Sequence, residues 1–294
     1  GAASSRGTSK PFSMWAGRWW KACGCATRGC QWRRTWGGSG GGDTARIYRL
    51  GGWAAPYGIV LVADRLSTFM VALTSVLGAC SLIFALARWD RAGPRFHALF
   101  LLLAMGVNGA FLTGDLFNLF VFFEIMLAAS YGLALHGSGE ARIRAGLTYI
   151  AVNLTASLLF LIGVSLIYGV TGTLNMADLA LRLPAIAEGN RGLFHVGAAV
   201  LGTAFLIKCA MWPVGFWLTP TYAAASAPAA AAFAILSKVG VYVIIRLSLL
   251  LFGADAGASA GFGQGWLLAG GLATMGFGTA GLLASRDLSR AAGY

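Results

Sequence analysis

The run LFNLFVFFEIMLAASYGLALH, Leu116 to His136, decides the fold. It is apolar over a length that can cross a bilayer, and Glu124 is its only formal charge before the closing His136. At about 1.5 Å per residue, Glu124 lies roughly 12 Å into the run, close to mid-membrane. An ionised carboxylate at that depth costs at least ~2.5 kcal/mol. Such a group must be paired, protonated or set in a wet path, and each case points to ion traffic.

The rest of the composition agrees with a membrane chain. Of 294 residues, 57% are hydrophobic and 11% charged, against about 25% charged in a soluble domain. The net charge of +12 is unevenly spread: nine of the 22 Lys and Arg and a single acid, Asp43, precede Gly51, so that segment holds +8. The remaining +4 is scattered over short loops and three cations within apolar sequence, which excludes a nucleic-acid surface downstream. Cys23, Cys25 and Cys30 fall in the first segment without paired metal-ligand spacing or a nearby His, and Cys80 and Cys209 lie in apolar runs. Neither a disulfide framework nor a metal site is expected.

Residues 1–50 mix Arg, Gly, Trp and Cys with no helical or strand period, and they lack the apolar core of a signal peptide. They read as irregular or disordered, or as a segment outside the proper coding frame. From Trp53 the character changes. Apolar spans follow at about Leu66–Leu86, Phe96–Leu112, Leu116–His136 and Ala145–Tyr168. TGTLNMADLALRLPAIAEGNRG is too polar to cross, and its Leu174, Met176, Leu179, Ala180 and Leu183 suit a short amphipathic interfacial helix.

The fifth region, Leu193–Phe233, is about 40 residues long, nearly uncharged, and interrupted by Pro213, Pro220 and Pro228. One straight helix cannot use that length. Two half-helices with an unwound joint near Trp212–Thr221 can, where the break lines a buried or wet cavity. Spans at about Ala229–Leu251 and Trp266–Ala284 complete seven. The chain is therefore an all-α polytopic membrane protein with one Pro-broken helix. Arg88, Arg91 and Arg95 follow span one, Arg142 and Arg144 span three, and Arg286 and Arg290 span seven. Seven alternating crossings put these ends on one side, and the positive-inside rule makes that side the cytoplasm.

Besides Glu124, Lys208 and Lys238 lie within apolar sequence. A lysine near a helix end can snorkel, but Lys238 is too deep in its span for that. A static Glu124–Lys208 ion pair that only fixes packing is the second plain reading. The third is a proton path. Low dielectric favours the neutral forms of carboxyl and amine, and a neighbouring opposite charge restores the ionised forms, so moving a pair apart switches proton affinity. Tyr242 and Arg246, at successive turns beyond Lys238, would extend a polar line, and Ser237 and Asn153 could hold water nearby. His195 reads as interfacial. The glycines from Gly270 to Gly281 read as small-residue packing positions, since no nucleotide loop, hydrolase set or metal cluster is present.

TGDLFNLFVFFEIMLAASYGLALHG followed by KCAMWPVGFWLTPTYAAASAPAAAAFAILSKVGVYVIIR resembles the D-type subunits of the Mrp multisubunit Na⁺/H⁺ antiporters. Wider relatives are the proton-pumping membrane subunits of NADH:quinone oxidoreductase (respiratory complex I) and of membrane-bound hydrogenases. The resemblance covers about residues 51–294. It implies that Glu124 and Lys208 form a coupling pair, that Lys238 passes protons laterally, and that the fold is built of inverted five-helix repeats, each with a broken helix. Only the first repeat is covered, so the chain is expected to be a fragment truncated at its C-terminus. The implied function is that of a bacterial inner-membrane antiporter subunit, working with other subunits to exchange Na⁺ or another monovalent cation for protons. No cofactor or nucleic acid is expected, and the chain is not itself an enzyme. The alternatives are a proton-pumping arm of a quinone-reducing or hydrogenase complex, in which this chain carries no redox centre, and a purely structural membrane subunit.

Overall fold

The computed structural model describes residues 33–34, 45–53, 55–91, 95–137 and 139–294. Among these residues ten α-helices follow one another: α1 Arg65–Ala85, α2 Phe96–Leu112, α3 Leu116–Ala134, α4 Glu140–Thr171, α5 Met176–Arg182, α6 Glu188–Lys208, α7 Leu218–Ala224, α8 Ala227–Leu251, α9 Gln264–Ala284 and α10 Leu288–Ala291. Six of them (α1, α3, α4, α6, α8 and α9) are long and apolar enough to cross a bilayer. With 17 residues, α2 is about 25 Å long, at the lower limit for a crossing. The short α5 falls within the stretch expected to lie in the interface, with Met176 and Leu179 buried against the core.

Polar side chains set where these helices begin. In lipid an unpaired helix N–H has no water to turn to, so caps matter more than in a soluble protein. Asp64 accepts from Ser67 N at 2.7 Å while Ser67 Oγ accepts from Asp64 N at 2.8 Å, a reciprocal cap on α1. Asp115 accepts from Phe117 N and Asn118 N at 2.9 Å to start α3, and Asn175 caps α5 in the same way. Burial pushes the Asp115 carboxyl above the ordinary carboxylate range, against the opposing pull of its two N–H donors. Gly172, at φ 67°, ends α4 in the left-handed conformation that a side chain would resist.

Glycines bring the central helices into backbone contact. A Cβ on Gly163 of α4 would stand 2.7 Å from Leu201 N and 2.9 Å from Gly197 O of α6, and one on Gly106 of α2 would stand 2.7 Å from Met126 N of α3. Aromatic rings fill the remaining space, with Phe160 edge-on to Phe205 at 5.1 Å and Phe123 5.8 Å from Phe205. Of the α9 glycines, Gly270 meets Met211, and Gly278 and Gly281 meet Tyr294, but Gly271 and Gly276 face open space. Those two do not pack within this chain.

The loops sort into two ends as the count of seven crossings requires. At one end His136 Nε2 pairs with Trp89 O at 3.1 Å, Arg142 Nε donates to Ala224 O at 2.9 Å, and Thr219 Oγ1 donates to Gly293 O at 3.2 Å. All three basic loops therefore gather there. At the other end Leu116 N donates to Leu174 O at 2.9 Å, Arg246 pairs with Asp64 at 3.0 Å, and His195 meets Ser259 at 2.9 Å. In an otherwise cysteine-free protein, a cysteine at 257 should label from one side and one at 139 from the other. Labelling of both from the same side would contradict the crossing count.

At that second end lies a small antiparallel sheet, β1 Arg33–Arg34, β2 Arg46–Arg49 and β3 Val60–Ala63, in that order. It is tied to the α2–α3 turn by Gly114 N donating to Val60 O at 2.8 Å. Within residues 1–50, expected to be irregular, disordered or out of frame, 33–34 and 46–49 are strands; most of the remaining segment lies outside the described residues. β2 and β3 pair along their backbones over four residues, and of their side chains only Val60 is buried, so the sequence carries no period of two.

Candidate functional site

Three helices deliver one polar cluster into the apolar core. Glu124 sits two turns into α3, Ser157 midway along α4, and Lys208 is the last residue of α6. Ser157 Oγ donates to Glu124 Oε1 at 2.5 Å, and Lys208 Nζ donates to Ser157 Oγ at 3.1 Å. The two charges are thus joined through a hydroxyl rather than as a direct ion pair. Lys208 is 4% exposed, and its ammonium also stands 5.1 Å over the Phe123 ring, whose face favours a cation. Glu124 is half-buried. The close α4–α6 approach at Gly163 and Gly197 holds Ser157 against Lys208, because any larger residue there would push the helices apart.

The helix break places Lys208 at the end of α6, where the chain leaves the helix. After Lys208 the chain leaves the helix until Leu218, with Ala210 at φ 55° and Gly215 so close that a Cβ would lie 2.1 Å from Ala210 O. The C-terminal end of α6 carries partial negative charge, which favours an ammonium there. Backbone groups freed by the break find other partners: Trp217 Nε1 donates to Ile207 O at 3.1 Å, and Trp212 N donates to Thr274 Oγ1 of α9 at 2.9 Å. Pro213 lies in this joint as expected. Pro220 does not break a helix; it sits in the first turn of α7, where a missing N–H costs nothing. The joint therefore runs earlier than Trp212–Thr221, beginning directly after Lys208.

The other sequence candidates separate from this cluster. Lys238 lies about 16 Å into α8 on its exposed face, and among the described residues no hydrogen bond or ion pair reaches it. Tyr242 and Arg246 do not continue a line from Lys238. Tyr242 OH donates to Phe111 O at 2.7 Å, and Arg246 donates to Tyr242 OH and pairs with Asp64, so the two residues pin α8 to α1 and α2. Asn153 Nδ2 donates to Tyr149 O at 3.0 Å, a local satisfaction. Ser237 pairs with Tyr222 OH at 2.9 Å. His195 stacks on Phe262 at 4.4 Å, away from the Glu124 cluster. No group of three or more metal-ligating side chains occurs among the described residues.

Ser157 is the member that the sequence does not single out. A serine in a 32-residue apolar helix reads as a small packing residue, and only the fold reveals what it faces. Chemically the cluster is a chain of three groups: an ammonium, a hydroxyl that can both accept and donate, and a carboxylate.

Known proteins carry the same arrangement of helices. The family described as NADH:quinone oxidoreductase/Mrp antiporter, TM, matches residues 113–294. A protein from Rhizobium meliloti, named as the D-type subunit of a probable K(+)/H(+) antiporter, is 62% identical over 257 residues, covering 87% of this chain and 48% of that protein. The D-type subunit of a Na(+)/H(+) antiporter from Alkalihalophilus pseudofirmus is 43% identical, covering 84% of this chain and 50% of that protein. A chain in the structure of the Mrp complex from Dietzia sp. superposes with a TM-score of 0.73 at 35% identity, over 85% of this chain and 46% of that one. The chain thus spans about half the length of the curated relatives it matches. On these matches, together with its fold, the chain belongs to the NADH:quinone oxidoreductase/Mrp antiporter transmembrane family.

Proposed function

We propose that this chain forms the proton-translocating half of a membrane subunit in a multisubunit monovalent cation/proton antiporter, with Glu124 and Lys208 as its coupling pair. The observation that carries the reading is the buried Lys208, held at a helix break and linked to Glu124 through one hydroxyl. While the link is closed, the two charges face one another across a single hydroxyl. Opening the break would withdraw the ammonium from the hydroxyl that links it to the carboxylate, and closing it would restore the link, so the pair can switch between two states. Lys238 fits the lateral exit of this path. A lysine exposed at mid-helix cannot rest in lipid, so protein or water must cover it in the whole assembly.

Antiport is favoured over a redox-driven arm by the names of the relatives, one from a K⁺/H⁺ and one from a Na⁺/H⁺ antiporter. The proposed setting is a bacterial inner membrane, with the 88–95 and 142–144 loops cytoplasmic and other antiporter subunits alongside. The test uses vesicles holding the complete complex and an imposed pH gradient, with no electron donor present. Addition of Na⁺ or K⁺ is expected to collapse the gradient, and the effective salt identifies the cation. A gradient that responds only to an electron donor would replace antiport with the redox reading. In the same vesicles, Lys238→Ala is expected to lose transport if Lys238 carries protons onward. Near wild-type transport in that variant would confine the path to Glu124 and Lys208.

A further inference from the structure

We propose that Ser157 is the relay through which a proton passes between Lys208 and Glu124, a role that rests on the coupling-pair reading above. The direction of its hydrogen bonds follows from chemistry. A charged lysine has only donors, so Ser157 Oγ must accept from Nζ at 3.1 Å, which leaves its single hydrogen for Glu124 Oε1 at 2.5 Å. The hydroxyl is thereby oriented as a wire from the ammonium to the carboxylate. In the transfer, one Lys208 Nζ–H bond breaks and its proton goes to Ser157 Oγ, the electron pair staying on nitrogen. At the same time the Ser157 O–H bond breaks and that proton joins Glu124 Oε1. An ammonium and a carboxylate become an amine and a carboxylic acid, with Ser157 unchanged and net charge conserved. No water or co-reactant is required.

Burial makes this route the direct one. Ser157 is 5% exposed and Lys208 4% exposed, and the Phe123 ring beneath the ammonium packs in turn on Phe160 and Phe205. A neutralised pair has a much smaller attraction across the hydroxyl, so the transfer also releases Lys208 to swing with the break that begins at Cys209. The relay and the switch are then one event.

The test measures cation-driven proton flux by the complete complex in vesicles for Ser157→Ala, Ser157→Thr and Ser157→Val, with Glu124→Gln in parallel. Threonine and valine have nearly the same volume, so they differ at this site by the hydroxyl alone. Flux in the Ala and Val variants is expected to fall about a hundredfold, the scale of a lost proton-transfer group, with Thr within a few-fold of wild type. The solvent deuterium isotope effect of the Thr variant should match that of wild type. Thr and Val variants that behave alike, whether active or inactive, would overturn the relay. So would loss of complex assembly in the Ala and Val variants, which would assign Ser157 to packing. Wild-type flux in Ser157→Ala beside an inactive Glu124→Gln removes only the relay, whereas an active Glu124→Gln removes the coupling pair itself.

Discussion

Lys208→Ala in the complete complex is expected to leave assembly intact and to lower cation-dependent proton movement by at least about a hundredfold. Lys208 supplies the ammonium of the buried cluster, and without it Ser157 has no donor to accept from on that side. Glu124 loses the cation that faces it across the Ser157 hydroxyl. A static pair predicts a different pattern. Removing one partner would strand a buried charge at a cost of about 3–5 kcal/mol, so single variants would fail to assemble. The Glu124→Gln/Lys208→Gln double variant would then recover. Assembly measured by co-purification of the subunits separates the two accounts. Glu124→Asp should keep partial transport, because the carboxylate survives on a shorter arm.

The second large effect is structural. Gly163→Leu is expected to prevent stable assembly or to reduce it severely. Even a Cβ at this position would meet Leu201 N at 2.7 Å and the carbonyl of Gly197 at 2.9 Å, and backbone atoms cannot give way as a side-chain tip can. Overpacking of this kind costs about 1–3 kcal/mol, and more where two helix backbones are in contact. Because the same contact presses Ser157 towards Lys208, any complex that does assemble should transport poorly. Gly271→Leu is the matched control, since a Cβ there meets nothing within 4 Å in this chain. Equal amounts of assembled complex for Gly163→Leu and wild type would show that the α4–α6 contact is not needed.

How much of this could be read from the residues varies with the physics behind each feature. Span positions are legible because a bilayer demands an unbroken apolar run: Phe96–Leu112 and Ala229–Leu251 in sequence became Phe96–Leu112 and Ala227–Leu251 in the fold. Glu124 and Lys208 stand out because charges in apolar sequence are conspicuous. Ser157 does not, since its role depends on which helix it faces. The exposure of Lys238 is likewise a property of packing, as is the service of Tyr242 and Arg246 to Phe111 and Asp64. Pro220 misled because a proline reads the same whether it breaks a helix or begins one. The strand Val60–Ala63 pairs through its backbone and so left no side-chain pattern to find.

The most direct measurement is proton uptake into vesicles bearing the complete complex with Glu124→Gln, driven by an imposed cation gradient. Glutamine keeps the shape and the hydrogen-bond acceptor for Ser157 but cannot take the proton. The coupling-pair account predicts uptake at the level of empty vesicles, with normal amounts of assembled complex. Uptake at the wild-type rate would contradict it outright.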